Sequence, residues 1–333
     1  MEEMKPLENI ILYDWLTFSS AIHDRDSIIQ FLGLSKVDWV TELGSKLKYD
    51  ERWYFMGISI HFSYPGTNKN QGVCVEMSGQ GCRAFETFGD KSIVDVLKYC
   101  LDYGLHITRL DIALDDFTGL IDINEMARAA RAFEFRCRCK SVSVIFECPD
   151  QDSEHKALTV NHGSRCSKTF IRCYDKRAER GAFEEYEHWV RLELQLRAEN
   201  AMTFAALSYP IGEKYFGVLS NYLAYLIPSD TDSNKSRWSV APWWENLLQG
   251  AQKISVYTSK DIDYNKSRLE RYVYNMAGNA VAAIIQCDGA EKFIEWMKDL
   301  VPTLPEKYQK IIHEVEFMKA WNQFDLLIDA KEY

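Results

Sequence analysis

Three hundred and thirty-three residues, 47% of them hydrophobic and 26% charged, form an ordinary globular composition, long enough for two modest domains and unlike a disordered or fibrous chain. No window reaches the roughly 18 consecutive apolar residues of a membrane span, and the sequence begins MEEMKPLENI, with acids where a signal peptide is basic, so the chain reads as intracellular with no membrane partner. A net charge of -10 excludes a protein that coats nucleic acid through a uniformly positive surface.

Alternating patterns predict strands over 10–18, 53–62 and 73–77. The cluster Ser78-Gly79-Gln80-Gly81 lacks the Lys-Ser/Thr or third glycine of a phosphate loop and reads as a hairpin turn before another strand over 83–88. A helix follows, with Ile93, Val94, Leu97, Cys100 and Leu101 on one face, Ser92 and Asp95 at capping distance, and Gly104 to end it. After a strand over 107–115, a second helix spans about 122–133, with Asp122 and Glu125 at its start, Ile123, Met126, Ala127 and Ala130 inward, and Arg128 and Arg131 outward. Strands over 142–146, 169–174 and 190–196 complete the set. This order predicts an α+β fold, an antiparallel sheet backed by helices on one face.

The polar, helix-breaking stretch 229–236 reads as a linker between a first domain, 1–228, and a mainly helical C-terminal region, 237–333, with helices over 243–252 and from 267 onward. Nine cysteines, an odd number mostly within alternating segments, read as reduced, small core residues. Cys137-x-Cys139 with His155, His162 and Cys166 has the wrong spacing for a zinc knuckle and reads as structural or incidental. Trp238, Trp243 and Trp244 read as anchors for the helical part, and His162 as a group near a nucleic-acid strand.

Period-2 logic sorts the strands that follow into faces. In 109–115 the aliphatic residues Leu110, Ile112 and Leu114 leave Arg109, Asp111, Ala113 and Asp115 together; in 191–197 three leucines leave Arg191, Glu193, Gln195 and Arg197; in 168–176 the less apolar face carries Lys168, Phe170, Arg172, Tyr174 and Lys176. If these strands share one sheet, carboxylates, cations and a tyrosine crowd its open face. Carboxylates are hard ligands for Mg²⁺ or Mn²⁺, cations hold a phosphodiester, and a tyrosine beside a metal attacks phosphorus once its phenolate is favoured. Cross-strand salt bridges and ordinary packing of Tyr174 account for the same residues individually. Two windows, 128–140 and 165–180, each carry four net positive charges and place an anion site, if there is one, mid-chain.

Several segments occur in a recognisable order: Asp14-Trp-Leu-Thr-Phe18, Glu76-Met-Ser-Gly-Gln-Gly-Cys-Arg83, Thr108-Arg-Leu-Asp-Ile-Ala-Leu-Asp-Asp116, Gly163-Ser-Arg165, Arg172-Cys-Tyr-Asp-Lys176, Trp189-Val-Arg-Leu-Glu-Leu-Gln-Leu-Arg197, and Trp238 with Trp243-Trp244. Over about residues 10–250 this set resembles the replication initiation factor family, the rolling-circle initiators of plasmids and filamentous phages and the related relaxases of conjugative elements.

The resemblance implies a site-specific single-strand nickase and strand transferase of the bacterial cytoplasm, acting on a single-stranded or cruciform origin, with a host helicase and a second copy of itself as partners. It places the nucleophile on Tyr174 and the ligands of a divalent metal, Mg²⁺ or Mn²⁺, on Asp111 and Glu193, with Asp115 a further candidate. Reasoning from strand faces assigns Arg172, Arg191 and Lys176 to charge neutralisation at phosphorus and Arg83, Arg128, Arg131, Arg165 and Lys168 to the DNA. The seven histidines include no His-x-His pair, so the metal would rest on carboxylates. A conjugative relaxase, a non-cutting DNA-binding regulator of the same fold and a nuclease using metal-bound water remain alternatives.

Overall fold

The computed structural model describes residues 8–45, 47–64, 72–147, 157–250, 278, 280–304 and 312. Ten strands form one antiparallel sheet in the order β2-β3-β4-β5-β1-β6-β11-β10-β9-β8. They are β1 (Ile10–Ser20), β2 (Val40–Leu43), β3 (Glu51–Phe55), β4 (Ile58–Phe62), β5 (Val73–Met77), β6 (His106–Asp116), β8 (Val142–Glu147), β9 (Ala157–His162), β10 (Thr169–Asp175) and β11 (Val190–Arg197). A small three-stranded sheet joins β7 (Phe135–Cys137), β12 (Leu223–Ile227) and β13 (Ser239–Val240) in the order β13-β12-β7. Leu110, Ile112, Leu114, Leu192, Leu194 and Leu196 are all at most 1% exposed and belong to one apolar core with residues of helices α3 (Ile93–Asp102), α4 (Ile123–Arg131), α6 (Glu199–Ala206) and α7 (Ile211–Tyr222). The sheet is therefore backed by helices on its aliphatic face, and the alternation that buries the leucines forces the intervening polar residues onto the other face.

The structure corrects several sequence expectations. The run 53–62 is a hairpin, β3 and β4, turning at Met56 and Gly57, both with positive φ; alternation continues through a two-residue turn, which hides it. The strand expected over 83–88 is instead part of helix α2 (Gly79–Phe88), capped by the Ser78 side chain. The glycine cluster is thus a helix start and not a hairpin turn. A side chain on Gly79 would lie 2.6 Å from an Asp14 carboxylate oxygen, so glycine here is a clearance that lets α2 approach β1. Finally, Cys137 and Cys139 are joined by a disulfide, and Cys166 and Cys287 are exposed, whereas Cys74, Cys82, Cys100 and Cys173 are buried as expected.

The chain divides into compact units at Met1–Ser259 and Lys260–Tyr333. The segment 237–250, expected with the C-terminal region, packs within the first unit: Trp244 and Leu247 of α8 (Pro242–Gly250) are completely buried in the main core, and Trp243 and Trp244 pack on Tyr225 with centroids 4.9 and 5.2 Å apart. This is the anchoring role expected of these tryptophans. In the second unit a helix spans Ala290–Leu300; residues 251–252 and most of 267–333, where further helix was expected, lie outside the described residues. Trp244→Ala removes a fully buried indole and should lower unfolding stability by about 3–5 kcal/mol, read from the urea midpoint. A loss below about 1 kcal/mol would show that α8 is not part of this core.

Candidate active site

Register brings the polar faces of the central strands into rows. Tyr174 of β10 pairs with Arg191 of β11, which pairs with Asp115 of β6; one row along, Arg172 pairs with Glu193 and Glu193 with Ala113; in the next, Phe170 pairs with Gln195 and Gln195 with Asp111. β1 closes the set, with Trp15 opposite Asp111. Its register shifts between Tyr13 and Trp15, so Asp14 is the extra residue of a β-bulge, and its carboxylate reaches the neighbouring Arg191.

At the centre, the Tyr174 hydroxyl donates to Glu193 Oε1 at 2.7 Å and accepts from Lys176 Nζ at 3.2 Å. Arg172 donates to both Glu193 oxygens, at 3.1 and 3.2 Å, and its guanidinium lies 4.2 Å from the Tyr174 ring centroid. Arg191 forks onto both Asp115 oxygens at 2.6 and 2.7 Å and reaches Asp14 Oδ1 at 2.7 Å. Arg109 forks onto Asp111 while stacking 4.0 Å from the Trp15 ring centroid. Lys176, the first residue of α5 (Lys176–Arg180), also pairs with Glu179.

These groups are not a solvated salt-bridge face. Tyr174 is 5% exposed, Lys176 3%, Arg191 6%, Glu193 9%, and Asp111 and Asp115 4% each. Burying such charges costs several kcal/mol per ion before pairing repays any of it, so stability alone does not explain the collection. Burial, reinforced by the Glu193 charge, holds the Tyr174 phenol well above its ordinary value and therefore protonated. Burial likewise lifts the Asp111 carboxyl to about 6, outweighing Arg109, with Glu193 and Asp14 adding repulsion. Lys176 is lowered, first by burial and then by Arg191. Burial opposes the charges on Arg172 and Arg191, but their carboxylate partners prevail and both stay firmly cationic.

The donor set is chemically suited to a hard divalent cation, because buried, mutually repelling carboxylates are what such an ion relieves. All three candidate ligands are engaged by an arginine, Asp111 by Arg109, Glu193 by Arg172 and Asp115 by Arg191, so holding an ion would require such pairs to open.

The cations expected on DNA separate into two groups. Arg165 is exposed on the turn after β9, and its carbonyl accepts from Gln195 Nε2 at 3.2 Å, which sets that turn beside the polar face. Lys168 is exposed but paired with Glu199 at 2.8 Å. Arg83 is half-buried in α2, bound to the Tyr13 carbonyl and Glu86, and Arg128 is paired with Glu125 and Glu134. Arg131 is exposed on α4, whose buried residues Met126, Ala127 and Ala130 sit in the core behind the leucines; Arg128 and Arg131 thus stand on the helix layer, not beside Tyr174. His162 is not near the open face either: it pairs in register with Ile171, on the aliphatic side, and is 2% exposed. Burial pushes its imidazole down to about 4. His155 lies outside the described residues.

Sequence reasoning assigned no role to Asp14, Arg109 or the His188–Asp116 pair. Asp14 escaped because the bulge breaks the alternation. Asp116, fully buried, accepts from the Thr118 and Ile121 backbone and meets His188 Nε2 at 3.2 Å; a strand-end acid and a loop histidine 72 residues apart carry no local signal.

A wide antiparallel sheet with helices on one face and a buried tyrosine, carboxylates and cations on the other defines an α+β protein with a polar, charged cluster on the sheet face opposite its helices. Comparison with known proteins narrows this. Residues 105–301 match the pattern of the family described as replication initiation factor, and residues 10–96 that of the rolling-circle replication initiation protein N-terminal domain. The chain is 27% identical over 295 residues to NicK of Bacillus subtilis strain 168, provisionally described as a DNA relaxase, covering 84% of this chain and 82% of that one. It also superposes on the rolling-circle replication initiator of Geobacillus stearothermophilus with a TM-score of 0.67 at 28% identity, over 75% of this chain and 98% of the other. The chain belongs to the replication initiation factor family, the rolling-circle initiators and their relaxase relatives.

The Asp111 carboxyl generates a testable pH dependence. Its folded pKa of about 6 lies above the unfolded value near 4, so between these values the native state binds more protons and stability falls as pH rises through the window. In chelator, urea unfolding of the wild type relative to Asp111→Asn should lose on the order of 2 kcal/mol between pH 4 and pH 6.5. A difference constant with pH would show that this carboxyl titrates normally.

Proposed function

We propose that the protein starts rolling-circle replication by nicking one DNA strand with Tyr174 and later rejoining it. The observation that carries this reading is the single buried cluster in which the Tyr174 hydroxyl is hydrogen-bonded to both Glu193 and Lys176. The Tyr174 oxygen attacks phosphorus and an O–P bond forms to the 5′ phosphate. The P–O3′ bond breaks and the departing 3′ oxygen takes a proton to become the priming hydroxyl. The phenol proton has an acceptor already in place in Glu193 Oε1, and Lys176 Nζ stabilises the phenolate. Arg172, whose fork bridges Glu193 and the tyrosine ring, and Arg191, behind the tyrosine, supply positive charge where the phosphorane develops it. Asp115 and Asp14 orient Arg191.

Asp111 and Glu193 would hold a Mg²⁺ or Mn²⁺ ion, which supplies charge to the scissile phosphate and cancels the Glu193 charge that, after burial, most raises the phenol. In the DNA-free state the nucleophile is protonated and guarded. Arg165 and Lys168, near the rim, are placed to grip the flanking strand, giving local attraction on a chain whose net charge of -10 discourages indiscriminate binding. The family likeness extends the proposal to a homodimer and a host helicase. A relaxase acting at a transfer origin is the second reading, favoured by the 84% of this chain that aligns with NicK, and it uses the same residues.

The test uses a randomised, end-labelled single-stranded oligonucleotide library with Mg²⁺ or Mn²⁺, followed by denaturation and recovery of protein-bound DNA. Wild-type protein should retain label through a phosphotyrosyl bond at Tyr174, identified by peptide mass. Tyr174→Phe should lose the adduct, and Glu193→Gln should cut at least about 100-fold more slowly while binding DNA with little change. Cutting without an adduct would assign the nucleophile to water, and absence of cutting would assign a DNA-binding regulator.

A further inference from the structure

We propose that Cys137 and Cys139 in their reduced form, together with Nδ1 of His162, bind a soft divalent cation of the zinc class at a site separate from the Tyr174 cluster. The candidate ligand atoms of these three residues lie within 4.8 Å of one another, and among the described residues no other group of three or more His, Cys, Asp or Glu converges in this way. A tetrahedral zinc site, with Zn–S near 2.3 Å and Zn–N near 2.0 Å, sets its ligand atoms roughly 3.5–4 Å apart, so the bonded sulfurs must part once reduced, while the His162 nitrogen, at most 4.8 Å away, has little distance to close.

The independent pointer is His162. It is 2% exposed, its Nε2 is hydrogen-bonded to the Tyr225 hydroxyl at 2.8 Å, and its Nδ1 is buried with no hydrogen-bond partner among the described residues. An orphaned buried nitrogen is costly and calls for a partner. A metal-bound imidazole is commonly held by a hydrogen bond on its other nitrogen, which fixes tautomer and ring orientation, and Tyr225 supplies that bond. The Cys139 N–H donates to Cys137 Sγ at 3.1 Å, which holds the two sulfur-bearing residues in one tight turn, and exposed Arg136 and Arg138 flank the pair. Two thiolates and an imidazole select zinc-like ions over magnesium.

Topology indicates the purpose. Cys137 ends β7, which pairs with β12, and His162 ends β9, which pairs with β10. A shared ion clamps the small sheet to the large one on the side away from Tyr174 and pins the basic segment 136–140. The two sulfurs are joined in the structure. Opening that bond takes two electrons from a phosphine, which becomes the phosphine oxide by taking the oxygen of a water molecule, and the two protons of that water yield two thiols; binding the ion releases both thiol protons and leaves a site of zero net charge.

The test is metal stoichiometry. Protein reduced with a phosphine is loaded with Zn²⁺, freed of loosely held metal by gel filtration and analysed by mass spectrometry; Co²⁺ loading adds an optical readout. Wild type and Glu193→Gln should each keep one equivalent and show thiolate-to-cobalt charge transfer. Cys139→Ser, at a partly exposed position that does not threaten the fold, should bind at least about tenfold more weakly and lose that absorption, and His162→Gln should do the same where circular dichroism shows it folded. The proposal is overturned if reduced wild type keeps no stoichiometric metal, if Cys139→Ser keeps it equally, or if Glu193→Gln loses it, which would place the ion on the carboxylates. None of these readouts involves DNA cleavage, so failure here leaves the nicking reading untouched and the reverse also holds.

Discussion

Glu193 is the residue on which the open face is built. A carboxylate at 9% exposure survives only if its lone pairs are filled, and here the Arg172 fork and the Tyr174 hydroxyl fill them. That requirement ties β10 to β11 through side chains as well as through the backbone ladder. It also fixes the direction of the phenol, which would otherwise rotate about its own axis. The Tyr174 oxygen is thereby held by two hydrogen bonds among charged neighbours, and its high proton affinity follows from the same burial that makes the contacts strong.

Arg191 performs the corresponding task one row away, spanning three strands by holding Asp115 on β6 and Asp14 on β1. The bulge at Asp14 makes this possible, and the glycine at 79 leaves the room that α2 needs to close over it. Arg109, Arg172 and Arg191 are each matched to at least one acid, which offsets much of the charge gathered on the face. Such mutual pairing suits the nucleophilic role proposed for Tyr174, because it orients the hydroxyl before a substrate arrives.

On the other side of the sheet, Tyr225 links two parts of the molecule that the sequence separates widely. Its ring supports Trp243 and Trp244, while its hydroxyl holds His162. The small sheet, α8 and the end of β9 are consequently one packed corner of the first unit. A linker of polar residues at 229–236 does not mark the end of that unit, because polar composition reports solvent exposure of a loop and says nothing about where the chain returns to the core.

The leucine alternations in β6 and β11 settled, without coordinates, which residues share a face, because a period of two admits only one assignment once one face must be apolar. Tyr174, Arg172, Glu193, Asp111 and Asp115 were therefore legible as a set, and ordered motifs identified the family. Tertiary structure decided what alternation cannot encode. Register chose which acid faces which base, placing Arg191 on Asp115 and Arg172 on Glu193. A bulge, invisible in composition, turned Asp14 inward, and a helix cap replaced an expected hairpin at Gly79. The approach of Cys137 and Cys139 to His162 came from the pairing of β7 with β12 and of β9 with β10, long-range contacts whose partners leave no trace in the residues on either side.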